Sequence, residues 1–252
     1  MNEMYPVARP ALDEAALRID LAAAFRLAER AGWHEAVANH FSAAISADGR
    51  KFLINPRWRH FSRIRASDLL VVDADDPTTM QRADAPDPSA WSIHSALHRA
   101  LPQARVALHL HPPYATALAT LADPRIPPID QVTARFYNRL AYDLDFGGIA
   151  DHEDEGIRTA QAIGTSKAVI MGNHGVTTLG DTVAEAFDAL YHLERAARTY
   201  VLALSTGRPL RILDPERAEE TAAGWEAYRA AEHAHFEEMK QVLDREASDY
   251  RA

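Results

Sequence analysis

Cysteine is absent from the 252 residues. That excludes a disulfide framework, a thiolate nucleophile, an iron–sulfur cluster and a cysteine-ligated zinc site. Lysine is scarce: Lys51, Lys167 and Lys240 stand alone among arginines, so Schiff-base chemistry has few candidates. No apolar run approaches the ~20 residues that cross a bilayer, and Met1 to Pro10 lack the basic start and apolar stretch of a secretory leader. A cytoplasmic location with no membrane partner is expected. Basic residues are outnumbered 27 to 36, a formal charge of −9. This argues against a nucleic-acid partner, which would need a basic stripe. The G-x-S-x-G elbow, the phosphate loop ending in Gly-Lys, G-x-G-x-x-G and H-E-x-x-H are all missing.

What is present reads as a globular chain. A hydrophobic share of 47% with 25% charged residues excludes disordered, collagenous or fibrous structure. The length suits one domain over 1–252, with a core of about 12–206 and a polar C-terminal helix over 217–247. Leu17, Leu21, Ala24, Phe25 and Ala28 share one face of a helix from Leu12 to about Arg30, stopped by Gly32. Phe41 to Ala47 and Lys51 to Asn55 form a hairpin around Asp48-Gly49. Leu69 to Asp73, Arg105 to Leu110 and Ala168 to Met171 read as further strands. Trp91 to Leu101, Tyr114 to Leu121, Glu153 to Ile163 and Thr182 to Leu204 read as helices. Gln131 to Phe146 reads as irregular, and Gly172 to Gly175 as a turn. This alternation predicts a three-layer α/β/α domain.

Twelve histidines are the informative excess. His109 and His111 are two apart on a predicted strand, so their rings leave one side with Cα atoms roughly 6–7 Å apart. Two imidazoles so placed can share a metal at about 2.0–2.1 Å per bond. The plain alternative is a pair of surface histidines on a half-exposed strand. His174, between Gly172-Asn173 and Gly175 after another short apolar strand, supplies a third imidazole and shifts the balance toward a metal. The alternative there is a turn histidine capping the backbone. His94 and His98 share a helix face, as helical pairs commonly do. His233 and His235 are about 200° apart on a helix and read as solvated. His34, His60, His152 and His192 show no partner in the sequence. The acidic run Asp151 to Glu155 suits a helix start better than a metal site.

His109 to Leu118, reading H-L-H-P-P-Y-A-T-A-L, together with Asn173-His174-Gly175 and the long helix after it, resembles the class II aldolase/adducin family over roughly Leu17 to Leu204. Ala38-Asn39-His40-Phe41-Ser42 resembles its Gly-Asn-x-Ser segment. Pro88-Ser89-Ala90-Trp91, followed by His94, falls where the family reads Ser-Ser-Glu before a helix. The resemblance implies a mixed, largely antiparallel sheet and a homo-oligomer, usually a tetramer, with sites at subunit borders. It also implies one divalent ion per subunit (zinc, manganese or iron) on His109, His111 and His174. In such tetramers a C-terminal group is often lent to a neighbouring site, and Tyr250 is the aromatic near this end.

Two departures from the family pattern redirect the chemistry. Ala90 stands where the family's aldolases carry a glutamate that is both base and ligand, and His94, one turn on, could fill the vacated space. The phosphate cradle is replaced by Pro88-Ser89, Ala38-Asn39 and Arg57-Trp58. Asn39, Arg57 and Ser89 become the expected substrate contacts, with arginines (Arg57, Arg59, Arg63) suited to a carboxylate; a solvated surface is the equal alternative for these arginines. The expected activity is a metal-dependent lyase, by decarboxylation or retro-aldol cleavage, on a non-phosphorylated hydroxy, keto or aromatic carboxylate. The metal would act as Lewis acid, and His94, Tyr114 and Tyr137 are the candidate catalytic groups. Two alternatives stay open: an Fe(II)-dependent oxygenase of aromatic hydroxy acids, and a non-catalytic adducin-like assembly module.

Overall fold

A computed structural model describes residues 13–76, 78–149 and 153–252. The readings for Met1 to Pro10, Leu12, Asp151 and His152 lie outside these residues. Helix α1, Glu14–Arg30, starts where Asp13 accepts hydrogen bonds from the Ala15 and Ala16 amides. Its buried face runs from Leu21 to Ala28, and Gly32, at φ +71°, closes it. Strands β1 (His40–Ala44), β2 (Lys51–Ile54) and β3 (Leu70–Asp73) form an antiparallel meander. Then come α2 (Pro88–Ala100), β4 (Val106–Leu110), α3 (Pro113–Ala119), α4 (Gln131–Ala134), β5 (Leu140–Asp143), α5 (Glu153–Ile163), β6 (Ala168–Met171), β7 (Gly175–Gly180) and α6 (Val183–Ser205). Helices α7 (Pro215–Ala227) and α8 (Ala230–Glu246) follow.

The seven strands lie in the order β3-β2-β1-β4-β7-β6-β5, every pair antiparallel except β5–β6. This is the mixed, largely antiparallel sheet that was expected. One face carries the larger core, built by α1, α3, α6 and α8 against Val106, Leu108 and Leu110. The opposite face packs Ala107 against Ile93 and Leu97 of α2 and Ala160 and Ile163 of α5. Strand alternation therefore sends His109 to the α2/α5 side. Because both faces are covered, β4 is buried along its whole length, which removes the half-exposed alternative for His109; His111, just past the strand, is partly exposed.

Three readings need correction. Gly175 to Gly180, where the sequence reading placed only the end of a turn before the helix from Thr182, is a fully buried strand. Its terminal glycines are required by packing: a Cβ at Gly180 would come within 2.6 Å of the Ala186 amide. The stretch taken as irregular contains α4 and the edge strand β5, paired in parallel with β6. The single helix expected over 217–247 is two, broken at Tyr228 (ψ 37°). The break lets α7 pack on α4 while α8 packs on α6.

Candidate metal centre

Three adjacent strands place the centre. In register, His109 of β4 lies between His40 of β1 and Thr177 of β7. His111 follows where β4 ends, and the Gly172–His174 turn between β6 and β7 delivers His174 beside it. The rings of His109, His111 and His174 stand 4.7 to 5.2 Å apart by centroid. One nitrogen of each lies within 4.8 Å of the others. Gly175 makes room: a Cβ there would sit 2.5 Å from both the His111 ring and the Leu110 carbonyl oxygen.

An oxygen stands behind each ring. His111 Nδ1 is 2.5 Å from Glu35 Oε2, His109 Nδ1 is 3.1 Å from Thr177 Oγ1, and His174 Nδ1 is 3.6 Å from Glu155 Oε1. At His109 and His111 that arrangement orients metal-bound imidazoles and leaves Nε2 as the ligand atom, whereas His174 Nδ1, at 3.6 Å, has no hydrogen-bond partner among the described residues. His111 Nε2 is buried without a hydrogen-bond partner, a costly state for a polar atom that a cation would relieve. Burial holds His109 well below the ordinary histidine range, and burial followed by His111 brings His174 down to about 4. His109 and His174 are thus neutral near pH 7, the form that offers lone pairs. Three imidazoles suit zinc or iron.

The other expected site residues are distributed unevenly. Ala90 is buried in a small apolar cluster with Ala44, Phe52, Ile54 and Val72. His94 is wholly buried, bonded to His40 Nδ1 at 2.8 Å and to Ser42 Oγ at 2.5 Å. It stands behind His40 and does not face the centre. Asn39, at φ +72°, accepts the Glu35 amide through Oδ1 at 2.8 Å and so fixes the loop that carries Glu35. Ser89 Oγ donates to Asp87 at 2.6 Å and lies 3.4 Å from His40 Nε2.

Arg57 is exposed, its guanidinium 4.2 Å over the Trp58 ring, and no contact among the described residues joins it to the histidines. Arg59 is taken up by Asp68. Tyr114 opens α3, its amide donating to Glu194 and its ring under Arg198. Tyr137 lies in the turn between α4 and β5, and its carbonyl accepts from Arg139. Tyr250 is fully buried, with its hydroxyl donating to Asp244 at 2.6 Å, so it is not a group held out to a neighbour. His235 is half-buried 2.7 Å from Asp188, not solvated, and His192 meets the same carboxylate. Glu155, read only as part of a helix start, is buried beside His174.

The sequence reading missed Glu35, Glu155, His40 and Ser42. His40 had one usable signal: it lies on a strand of alternating polar residues, and register alone decides that it faces His109. Glu35 had none, because its loop geometry depends on left-handed backbone at Ala36 and Asn39.

A family model described as the Class II Aldolase and Adducin N-terminal domain matches residues 19–201. A protein of Caulobacter vibrioides named for the class 2 aldolases is 35% identical over 203 residues, 81% of this chain and 78% of its own. The decarboxylase NovR of Streptomyces niveus is 28% identical over 225 residues, 86% of this chain and 83% of its own. Beta-adducin of Rattus norvegicus is 30% identical over 92% of this chain, which spans 34% of that protein. The crystal structure of an aldolase II superfamily protein from Pseudomonas syringae superposes with a TM-score of 0.85 at 31% identity, covering 98% of each chain.

Proposed function

Because the chain belongs to the class II aldolase and adducin N-terminal domain family, we propose that it is a divalent-metal-dependent carbon–carbon lyase of a non-phosphorylated hydroxy, keto or aromatic carboxylate. The observation that carries this reading is the convergence of three imidazoles with the Nε2 of His111 buried and unpartnered. His109, His111 and His174 would hold a divalent cation, which would supply Lewis acidity to a substrate oxygen. Glu35 orients His111, Thr177 orients His109, and the Gly175 approach keeps the His111 ring in place.

Decarboxylation fits the surroundings better than retro-aldol cleavage. Ala90 cannot accept a proton, and its methyl group is packed in an apolar cluster. Loss of carbon dioxide needs no base, whereas cleavage of a hydroxyl-bearing bond does. The likeness to a protein named a decarboxylase supports the same choice. Ser89, at the edge of the centre beside His40, is an expected substrate contact, and Tyr114 the expected proton donor. Preservation of the triad favours a catalyst over an assembly module, which has no physical need for an unpartnered buried imidazole.

Protein loaded with zinc, manganese or iron and supplied with panels of hydroxy acids and aromatic carboxylates should release carbon dioxide, and chelation should abolish the release. Absence of turnover with every divalent ion would overturn the proposal. Oxygen consumption confined to the Fe(II) form would replace the lyase by an oxygenase.

A further inference from the structure

A recess of about 470 Å³ lies at the other end of the sheet from the metal histidines. It adjoins Lys167 and Ala168, where β6 begins, whereas His174 follows the point where β6 ends. Residues of α6, α7 and α8 and of the turn between α4 and β5 close it. The break at Tyr228 makes the space, because α7 leans on α4 while α8 leans on α6. Small-molecule sites commonly enclose about 300–1,000 Å³, so the recess is large enough for a ligand.

Its charges pair off with two exceptions. Lys167 meets Glu185 at 3.2 Å, and Arg139 meets Glu219 at 2.6 Å. Arg135 meets Asp188 at 2.7 Å and Glu232 Oε1 at 3.0 Å. Glu232 Oε2 is left buried without a hydrogen-bond partner, which is costly for an acceptor. Burial, against the pull of Arg135, holds the Glu232 carboxyl above its ordinary range, as befits an acceptor short of donors. Arg229 lines the same recess and has no carboxylate partner among the described residues. The two unmatched groups are three residues apart at the start of α8, so they are neighbours on its surface.

The wall beside them is apolar. Phe136, Ala168 and Ala189 are buried there. The Trp225 ring is held in place, its indole N–H donating to the Gln131 carbonyl at 3.0 Å. A complementary ligand carries a cationic donor next to a carboxylate, with an apolar group behind both. An α-amino acid has its ammonium and carboxylate on one carbon and so presents that pattern.

We propose that this recess binds an α-amino acid with an apolar side chain. Its ammonium donates to Glu232 Oε2, its carboxylate accepts from Arg229, and its side chain lies against Phe136, Ala189 and Trp225. The site is separate from the metal centre, and its occupancy needs no metal.

Calorimetric titration of the full-length, metal-free protein with L-leucine should give one site per chain. Isocaproate, which lacks the ammonium, and isopentylamine, which lacks the carboxylate, should each bind roughly 10- to 100-fold more weakly. Glu232→Gln, whose amide oxygen can still meet Arg135, should weaken leucine binding by a similar factor. So should Arg229→Ala, at an exposed position where truncation spares the fold. His111→Ala should leave the titration unchanged. No binding of leucine, valine, methionine or phenylalanine would overturn the proposal, as would equal affinity for isocaproate or unchanged binding in both variants. Loss of leucine binding in His111→Ala would place the ligand at the metal centre and overturn it too.

Discussion

His192 on α6 and His235 on α8 crowd Asp188 much as His109, His111 and His174 crowd one another, yet the nitrogens of the two groups face different things. At Asp188 every ring has an anion to meet. His235 Nδ1 lies 2.7 Å from one carboxylate oxygen, and Arg135 and His192 reach the other at 2.7 and 3.3 Å. Arg135 also spans to Glu232 at 3.0 Å, with Trp225 beneath its guanidinium. This group ties α4, α6 and α8 together. In the candidate metal centre the carboxylates and the threonine stand behind the rings, and among the described residues only the three histidines make up the group whose ligand atoms converge. Histidine number does not separate the two; the direction of the free lone pairs does.

The strongest way to break that comparison is to remove a ligand. His111→Ala or His174→Ala should abolish stoichiometric metal uptake, read by elemental analysis after dialysis, whereas Asp188→Asn should leave it intact. Retention of one ion per chain by either histidine variant would erase the distinction. The converse effect lies in stability. Asp188→Ala strands a buried arginine and two imidazoles without their anion and should lower the unfolding free energy by about 3–5 kcal/mol, measured by chemical denaturation, with metal content unchanged.

Acid should separate the two regions more gently. Burial pushes Asp188 up, but hydrogen bonds from His192 and His235 and the charge of Arg135 outweigh it and hold the carboxyl well below its ordinary range. Its stabilisation is therefore complete above the unfolded value of about 3.9 and is lost only as pH falls below that. Burial brings His94 and His98 down to about 3. Their depressed values make the folded state fully favoured above about pH 6.5. Below it the protein loses up to roughly 1.4 kcal/mol per pH unit for each ring, down to about pH 3. Between pH 7 and 5 the metal-free protein should therefore lose stability, with buried His40, His109 and His174 adding to the loss from His94 and His98, while the Asp188 carboxylate stays ionised. A His94→Gln/His98→Gln double variant should make the profile of urea midpoints shallower. An equally steep profile in that variant would assign the acid sensitivity elsewhere. The smallest expected effect is that of Glu35→Gln, which keeps a neutral partner on His111 and should weaken metal binding by about 10-fold, the low end for such supporting groups, in a competition assay with a chelating dye.

Much of the centre was legible because it is local. His109 and His111 sit two apart on a strand, and His174 sits between glycines in a turn, so strand period and turn chemistry suffice. The limits of β6 and α5 were read correctly for the same reason. What failed was non-local. Strand β7 hides behind Thr177, Thr178 and two glycines, and its strand character comes from being sealed between β4 and β6. The place of Ala90 and His94 depends on how α2 rotates over the sheet, which the i, i+4 rule leaves undetermined. The union of His192 and His235 depends on the break at Tyr228, where no proline or glycine announces it.

Gly175 sets how this centre can be lost. The hydrogen on its α-carbon leaves no space between β7 and the His111 ring, so one added methyl would displace a ligand while every ligand remained encoded. A single-base change from a glycine to an alanine codon could thus silence the site and spare the scaffold. An inventory of ligand histidines would still score such a descendant as active, and residue 175 is the position to inspect before trusting it.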